Sequence, residues 1–280
     1  MARNTALGIA GAAAFGGACF FSYILSKKPP SKTSFPSGTT RLLLSQHSPF
    51  FSQDLFNFLV EQERKAIFDK SAHAWDWEIG LDEFLLGIRS WRKELVKRAY
   101  GDVLEVAAGT GRNLHFYDSE KVKRLVVTDF SRPMLSKALE KKDALQGIPV
   151  EFKLQNSAKL KFPDESFDTV VDTFGICSYE KPLETLQELK RVLKEGGVLL
   201  LLEHGEGTWV YFNKKIERSL LRHVWKFGCY YNRPIRQLVS EAGFDIVLEK
   251  RRTFGTTYLI VAKKPAGEHV RQFPEREGKE

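Results

Sequence analysis

The chain has 280 residues, of which 42% are hydrophobic and 28% charged. This composition is typical of a globular protein and excludes a disordered or collagen-like chain, and the length suits one catalytic domain with additional segments. The formal net charge of +8 favours anionic neighbours such as phospholipid headgroups or RNA, but it does not choose between them.

An uncharged, apolar run extends from Ala6 to Leu25. About 20 residues of α-helix cross a hydrocarbon core, so residues 1–25 are interpreted as a short tail and one transmembrane helix. A cleaved secretory signal is disfavoured, because the run is longer than an h-region and lacks an A-x-A-like site. A mitochondrial presequence is also disfavoured, since such segments are Arg-rich and amphipathic. The lysines after the run favour the matrix or the cytosol for the folded domain.

Three further segments flank the region that carries the chemistry. Residues 26–50 are rich in proline and serine and predict a linker. Residues 51–98 have apolar residues at helical spacing and predict a helical N-terminal cap. One helix face in this cap is formed by Ile88, Trp91, Leu95 and Val96. The polar residues 265–280 predict a disordered tail.

Residues 99–264 alternate between strand and helix patterns. The predicted strands are 103–107, 124–128, 150–154, 168–174, 198–203, 244–251 and 256–262. The predicted helices are 111–116, 133–146, 182–194 and 234–241, and the pair Gly196-Gly197 is expected to end the third of them. The fold class is therefore α/β and Rossmann-like, with a mostly parallel seven-stranded sheet and helices on both faces.

The first predicted strand runs into a glycine loop in the segment DVLEVAAGTGRN. Gly109 and Gly111 let the backbone turn sharply and approach a ligand, because no Cβ intervenes. A dinucleotide fingerprint needs a third glycine where this chain has Leu114, so a nucleoside without a pyrophosphate is favoured. The carboxylate of Glu105, near the loop, suits a ligand that carries an ammonium and a sulfonium.

Two polar residues follow the next strands. Asp129 lies about 20 residues after the glycine loop, the spacing at which an acid accepts hydrogen bonds from ribose hydroxyls. Taken alone, Asp129 is also compatible with an acid at a helix N-terminus. Asn156 offers an amide donor and acceptor to an adenine edge, and a turn asparagine is the alternative.

These segments resemble class I S-adenosylmethionine-dependent methyltransferases. The resemblance rests on E-x-x-x-G-x-G from Glu105, TDFSRPML from Thr128, NSAKLKFPDESFD from Asn156 and RVLKEGG from Arg191. It implies methyl transfer as the activity and S-adenosyl-L-methionine as the cofactor. The residues assigned to the cofactor are Trp75, Glu105, Ala107, Gly109, Thr110, Gly111, Asn113, Asp129, Phe130, Met134, Asn156, Ser157 and Thr173.

The segments YGDVLEVAAGTGRN, LLEHG, GCYYN and FGTTY are similar to the fungal mitochondrial inner-membrane methyltransferase-like proteins. Quinone-ring and membrane-bound thiol methyltransferases are more distant kin. This resemblance implies a single-pass protein of the mitochondrial inner membrane, with another intracellular membrane as the alternative. One departure concerns the family's YD-x-x-A-x-x-YD pattern, where this chain has Phe68 and Trp75. The aromatic walls remain, but a phenol hydrogen bond from either position is excluded.

The acceptor side has fewer signals. Methyl transfer needs donor and acceptor held in line and shielded from water, and it needs a base only where the acceptor loses a proton. His204, directly after the fifth strand, is the candidate base, and a histidine that only caps the strand end is an equal alternative. Cys177 lies beside the expected methyl site, where a small buried side chain that shapes the pocket is the simpler interpretation. With no CxxC pair among Cys19, Cys177 and Cys229, the sequence indicates neither a metal site nor a disulfide framework.

Two functions stay open. The first is a membrane-tethered methyltransferase acting on a small lipophilic acceptor, such as a quinone-like or thiol compound, supported by the cofactor loop and an aromatic segment after strand five. The second is a cofactor-binding, weakly catalytic assembly or RNA-associated factor for mitochondrial respiratory function, supported by the charge. Nucleic acid is not the favoured acceptor, because Thr173-Phe174-Gly175-Ile176 replaces the Asn/Asp-Pro-Pro-aromatic tetrad of many N-methylating enzymes.

Overall fold

The computed structural model describes residues 61–266. The predicted transmembrane helix from Ala6 to Leu25, the linker, the first part of the predicted cap and most of the predicted tail lie outside these residues. Among the helices that are described, none combines the length and apolar character needed to cross a bilayer. The predicted domain boundaries stay predictions.

The centre of the fold is a seven-stranded sheet in the order β3-β2-β1-β4-β5-β7-β6. Its strands are β1 Gly101–Val106, β2 Val122–Asp129, β3 Val150–Leu154, β4 Phe167–Thr173, β5 Leu193–His204, β6 Asp245–Arg252 and β7 Thr257–Lys263. The first five strands are parallel, and β7 is antiparallel to both β5 and β6. The strand order changes direction between β1 and β4, so a crevice opens at the carboxyl ends of these strands. The predicted Rossmann-like, mostly parallel sheet is confirmed.

Seven α-helices are described around this sheet. They are α1 Glu61–Ser71, α2 Trp75–Leu85, α3 Ile88–Val96, α4 Arg132–Leu139, α5 Pro182–Val192, α6 Val210–Phe227 and α7 Ile235–Glu241. The first three precede β1. Helix α3 buries the predicted face, which consists of Ile88, Trp91, Leu95 and Val96.

The central strand β5 is buried on both faces because it carries an unbroken apolar run. Leu199 and Leu201 point into one core, which contains residues of α5 and α7. Leu200 and Leu202 point into the other core, which contains Leu95 of α3. This alternation follows from the two-residue period of a strand, and it explains why helices cover both faces.

The helix predicted for residues 111–116 is wrong, since only the 3-10 turn Leu114–Phe116 follows the glycine loop. Ala107, Gly109 and Gly111 have φ values of 47°, 56° and 75°, so the backbone makes a series of left-handed turns that an α-helix does not contain. A Cβ at Gly111 would lie 2.8 Å from Leu114 Cδ1, which shows how closely the loop folds on itself.

Two other predicted helices end early. The helix predicted for residues 133–146 ends at Leu139, and the separate 3-10 turn Lys142–Leu145 follows it. Gly196-Gly197 does not end α5, because the helix stops at Val192 and the glycine pair lies within β5. The last helical carbonyls are satisfied by the segment before β4, where the Ser166 amide donates to the Val192 carbonyl over 2.8 Å.

Candidate active site

One cavity lies at the carboxyl ends of the parallel strands. Among the residues assigned to the cofactor, those that line it are Trp75, Ala107, Gly109, Thr110, Asp129, Phe130, Met134 and Thr173. The candidate base His204 lines it as well, together with Phe174, His223, Phe227, Cys229 and Tyr231. The cavity is therefore continuous from the glycine loop to the end of α6.

Asp129 connects the end of β2 to the glycine loop. Its Oδ2 accepts from the Gly109 amide and its Oδ1 accepts from the Ser131 amide, each over 2.8 Å. Burial raises the pKa of Asp129 to about 6, although the two amides oppose the shift. Each carboxylate oxygen keeps a further lone pair, so Asp129 can still accept hydrogen bonds from a ligand in the cavity.

The two glycines of the loop differ in their surroundings. A Cβ built on Gly109 meets no atom within 4 Å, whereas one on Gly111 would lie within 3.0 Å of Ala138. Gly109 therefore leaves space beside the cavity, and Gly111 permits close packing against α4. Both also need glycine for their left-handed backbone.

Five of the residues assigned to the cofactor do not line the cavity, namely Glu105, Gly111, Asn113, Asn156 and Ser157. Glu105 is fully buried and accepts from Asn113 Nδ2 over 3.0 Å and from the Tyr117 hydroxyl over 2.7 Å. Burial raises its pKa to about 7. Asn113 Nδ2 also lies 3.0 Å from Thr173 Oγ1. These buried groups support the cavity wall from behind, and direct contact of Glu105 or Asn113 with the cofactor stays a prediction.

Asn156 already has partners. Its Nδ2 donates to Glu61 Oε1 over 2.7 Å, and its Oδ1 accepts from the Ala158 amide over 3.0 Å. The hydroxyl of the neighbouring Ser157 lies 3.1 Å from that of Tyr179. The loop after β3 is thus tied to the start of α1, and adenine recognition by Asn156 stays a prediction.

Helix α2 lies over the glycine loop and is held there by charges. The Thr110 hydroxyl donates to Asp76 Oδ1 over 2.6 Å, and Arg112 forms ion pairs with Asp76 and Glu83. Glu83 also pairs with Arg92 over 2.7 Å. Burial alone would raise the pKa of Glu83, but the two guanidinium groups outweigh it and lower that pKa.

Arg92 connects this ion-pair network to the wall of the cavity. It is 5% exposed, and its Nη1 donates to Thr173 Oγ1 over 2.8 Å and to Asn113 Oδ1 over 3.1 Å. Its guanidinium carbon lies 5.0 Å from the centre of the Phe174 ring. Arg92 thereby fixes the end of β4.

Arg64 and His223 are two of the cavity residues that gave no signal in the sequence. Arg64 on α1 donates to the Ser178 carbonyl over 2.8 Å, and its guanidinium lies 4.9 Å from the centre of the Phe130 ring. His223 on α6 is buried, and within residues 61–266 neither of its ring nitrogens has a hydrogen-bond partner. Burial lowers the pKa of His223 well below its usual value, so its imidazole is neutral.

The acceptor side of the cavity is aromatic. Phe174 has a left-handed backbone with a φ of 63°, and its ring centre lies 4.4 Å from that of His204. The rings of His223 and Tyr231 are 4.2 Å apart. A left-handed backbone at a bulky residue costs on the order of 1 kcal/mol and is common at functional sites.

The two described cysteines meet at this side of the cavity. Cys177 Sγ lies 3.3 Å from Cys229 Sγ, and Cys229 Sγ lies 3.6 Å from His204 Nδ1. Cys177 is fully buried, and burial raises the pKa of its thiol. The separation of 52 residues between the cysteines gave no sign of this proximity.

Residues 104–201 match the family described as "Methyltransferase domain". Demethylmenaquinone methyltransferase of Oceanobacillus iheyensis is 31% identical over 202 residues, which cover 63% of this chain and 84% of that protein. The chain therefore belongs to the S-adenosylmethionine-dependent methyltransferases of class I. It is an enzyme, and S-adenosylmethionine is its cofactor.

A mitochondrial relative and a solved structure complete the comparison. The mitochondrial methyltransferase OMS1 of Saccharomyces cerevisiae is 31% identical over 232 residues, which cover 76% of this chain and 49% of that protein. The chain thus spans about half the length of this relative. The YcgJ protein of Bacillus subtilis has 15% identity and a TM-score of 0.52, covering 64% of this chain and 99% of that one, which shows the shared fold.

Proposed function

We propose that this protein is a membrane-tethered methyltransferase that acts on a small lipophilic acceptor, quinone-like or thiol, at the mitochondrial inner membrane. The observation that carries the proposal is the continuous cavity, which joins the polar groups around Asp129 to an aromatic wall at Phe174, Phe227 and Tyr231. A cavity of this kind suits a charged nucleoside at one end and an apolar molecule at the other.

On the donor side, the residues fit S-adenosylmethionine, which supplies an electrophilic methyl group on a sulfonium. Asp129 accepts hydrogen bonds from the ribose hydroxyls, and Phe130 and Met134 form apolar walls beside the adenine. Gly109 supports this fit because the space beside it is open. Thr173 and Trp75 complete the wall.

The residues of the buried layer favour a cationic ligand. Glu105 and Asp172 are fully buried carboxyl groups near the cavity, and burial raises the pKa of each to about 7. A positively charged donor stabilises the ionised forms of these groups, so its binding recovers part of the cost of burying them.

On the acceptor side, the imidazoles of His223 and His204 have different roles. His223 is neutral and has no partner in the described chain, so it can accept a hydrogen bond from a hydroxyl or thiol of the acceptor. His204 stays the candidate base. The surrounding rings exclude water from the reacting atoms, which favours transfer to the acceptor over hydrolysis.

Helices α1 and α2 act as a cap over the donor. Three contacts support this role: Glu61 with Asn156, Asp76 with Thr110, and the Ser131 hydroxyl with Asp69 over 2.6 Å. All three join the helices to loops at the carboxyl ends of β1, β2 and β3. Opening of these polar contacts admits the donor, and their closure shields it from water.

Membrane attachment rests on the predicted anchor from Ala6 to Leu25, and mitochondrial location on the likeness to OMS1. Helix α2 adds support, because Trp77, Leu81 and Phe84 are 88%, 65% and 70% exposed along one side. The same helix contributes Ile79 to the cavity. A bilayer against this side of α2 would bring a lipophilic acceptor to the cavity.

The test uses the full chain in detergent micelles. Donor binding is measured by calorimetry, and S-adenosylhomocysteine release is measured with quinols that differ in tail length, alkyl thiols and RNA. We expect turnover with a quinol or thiol that improves with tail length. Donor binding without turnover on any acceptor, or turnover on RNA alone, would favour the assembly or RNA-associated factor instead.

A further inference from the structure

A cluster of three soft ligand atoms lies at the acceptor side of the cavity. The Sγ atoms of Cys177 and Cys229 and a ring nitrogen of His204 all lie within 4.8 Å of one another. We propose that these three residues bind one Zn²⁺ ion, whose fourth ligand position faces the cavity.

The distances suit a tetrahedral ion. With Zn–S bonds of about 2.3 Å and Zn–N bonds of about 2.0–2.1 Å, two sulfurs should be about 3.8 Å apart and a sulfur and nitrogen about 3.6 Å apart. The observed separations are 3.3 Å between the sulfurs and 3.6 Å between Cys229 Sγ and His204 Nδ1. Small side-chain rotations are enough to reach the liganded geometry.

The backbone around the cluster is already fixed without using the ligand atoms. The Tyr230 amide donates to the Cys177 carbonyl over 2.8 Å, which ties the two cysteine segments together. The Cys177 amide donates to Glu203 over 3.0 Å, and His204 pairs with Thr257 in the sheet. Three different elements thus present their side chains to one point, as a preformed metal site requires.

The ligand set identifies the class of ion and the type of site. Two thiolates and one imidazole are soft to borderline ligands, which favour Zn²⁺ over Mg²⁺ or Ca²⁺. Binding replaces the two thiol protons, which leave to solvent, and the two thiolates neutralise the dication. His204 and Cys229 line the cavity while Cys177 is fully buried, so a fourth position faces the acceptor. Three protein ligands with one open position are typical of a catalytic rather than a structural zinc site.

The open position selects an acceptor. A thiol that reaches it binds as the thiolate, because the cation favours the deprotonated form, and the proton passes to solvent. This second step rests on the proposed function, whereas metal binding does not. His204 cannot bind the ion through Nδ1 and also act as the base. In the zinc-bound protein, His204 is therefore a metal ligand and not the base.

The experiment measures metal binding alone, without donor or acceptor. The full chain is reduced, treated with chelator, and titrated with Zn²⁺ in competition with a chromophoric chelator. Titration with Co²⁺ then reports tetrahedral ligand-field bands and a thiolate-to-cobalt charge-transfer band. We expect one ion per chain and a charge-transfer intensity that falls by about half in Cys177→Ser or Cys229→Ser.

Each of these variants, and His204→Gln, should weaken Zn²⁺ binding by at least about 100-fold, since loss of an outer-sphere partner alone costs about 10–100-fold. The matched controls are Cys19→Ser, a cysteine outside the described residues, and His115→Asn, an exposed imidazole. Both should bind Zn²⁺ as the parent chain does. Thermal unfolding and donor affinity verify that each variant is folded.

Three results would overturn the proposal. They are a reduced chain that binds no Zn²⁺, binding that persists in both cysteine variants, and Co²⁺ spectra that lack the thiolate-to-cobalt charge-transfer band. Because no acceptor is present, failure of the acceptor assignment leaves this measurement unaffected.

Discussion

The donor half of the cavity consists of hydrogen-bonded polar groups, whereas the acceptor half consists of aromatic rings and of side chains with few partners. Asp129 and the Gly109 amide bind each other directly, and Arg92 holds Thr173 in place. Across the cavity, the His223 nitrogens lack partners in the described chain. One half is therefore preorganised for a single polar ligand, and the other selects by shape and by a few available lone pairs.

The largest expected effect concerns the rigidity of the donor half. Arg92→Gln removes the cation that pairs with buried Glu83 and holds Thr173. Removing one partner of a buried pair costs about 3–5 kcal/mol where the other charge is left alone, and Glu83 keeps Arg112, so the free energy of unfolding should fall by about 3 kcal/mol in a denaturant titration. Arg98→Gln, at an exposed pair with Glu94, is the control and should change it by less than about 1 kcal/mol. Equal effects would remove the distinction between a supporting network and surface charge.

The next effect concerns donor recognition. Asp129→Ala removes an acceptor of two ribose hydrogen bonds, each worth about 1.5–3 kcal/mol to a charged group, so donor affinity should fall about 100-fold or more. Calorimetry on the full chain measures this change. Asp143→Asn, at an exposed position, is the control. An unchanged affinity in Asp129→Ala would remove the site assignment.

The pH dependence separates folding from binding. The pKa of Asp129 is raised to about 6 in the folded chain, above its unfolded value, so the folded donor-free protein holds the proton more tightly. Its contribution to stability is present at low pH and is lost as pH rises through about 6. Donor binding needs the ionised form, so affinity should fall by up to about tenfold per pH unit as pH drops below that value. Calorimetry and denaturant titrations across this range should give opposite trends, and parallel trends would contradict the assignment.

The smallest expected effect belongs to the acceptor half. His223→Phe keeps a ring but removes the hydrogen-bond acceptor, which is worth about 0.5–1.5 kcal/mol, so kcat/KM for the acceptor should fall about three- to tenfold. The donor affinity should not change, because His223 lies on the other side of the cavity. The exposed His115→Phe is the control. A loss of donor affinity instead would mean that the two halves are not separate.

The donor half was predictable because its signals are local. The apolar strand, the glycine loop and Asp129 lie close together in the chain. In the structure the Gly109 amide of the loop donates to Asp129, so the loop and the acid lie side by side. The error at residues 111–116 has a non-local cause, since the left-handed turns replace a helix where Gly111 packs against Ala138 on α4, which follows β2 in the chain.

The acceptor half depends on contacts between distant segments. Helix α6 was not predicted, although Ile216, Leu220 and Val224 recur at the four-residue spacing of one helix face and gave a usable signal. The meeting of Cys177, His204 and Cys229 follows from the way the turn after β4 and the end of α6 pack beside β5. No spacing along the chain encodes that packing.

Phe174, the left-handed residue directly after β4, is joined to Thr173 by one peptide bond, and these two residues connect the donor half with the acceptor half. Thr173 belongs to the hydrogen-bond network behind the donor, and the ring of its neighbour Phe174 lies against His204. Arg92 touches both, through the Thr173 hydroxyl and over the Phe174 ring. These contacts give a path by which a shift of Thr173 or Arg92 on donor binding would reach the Phe174 ring. We expect a compulsory order of substrate addition, in which the donor enters first and shapes the place for the second substrate.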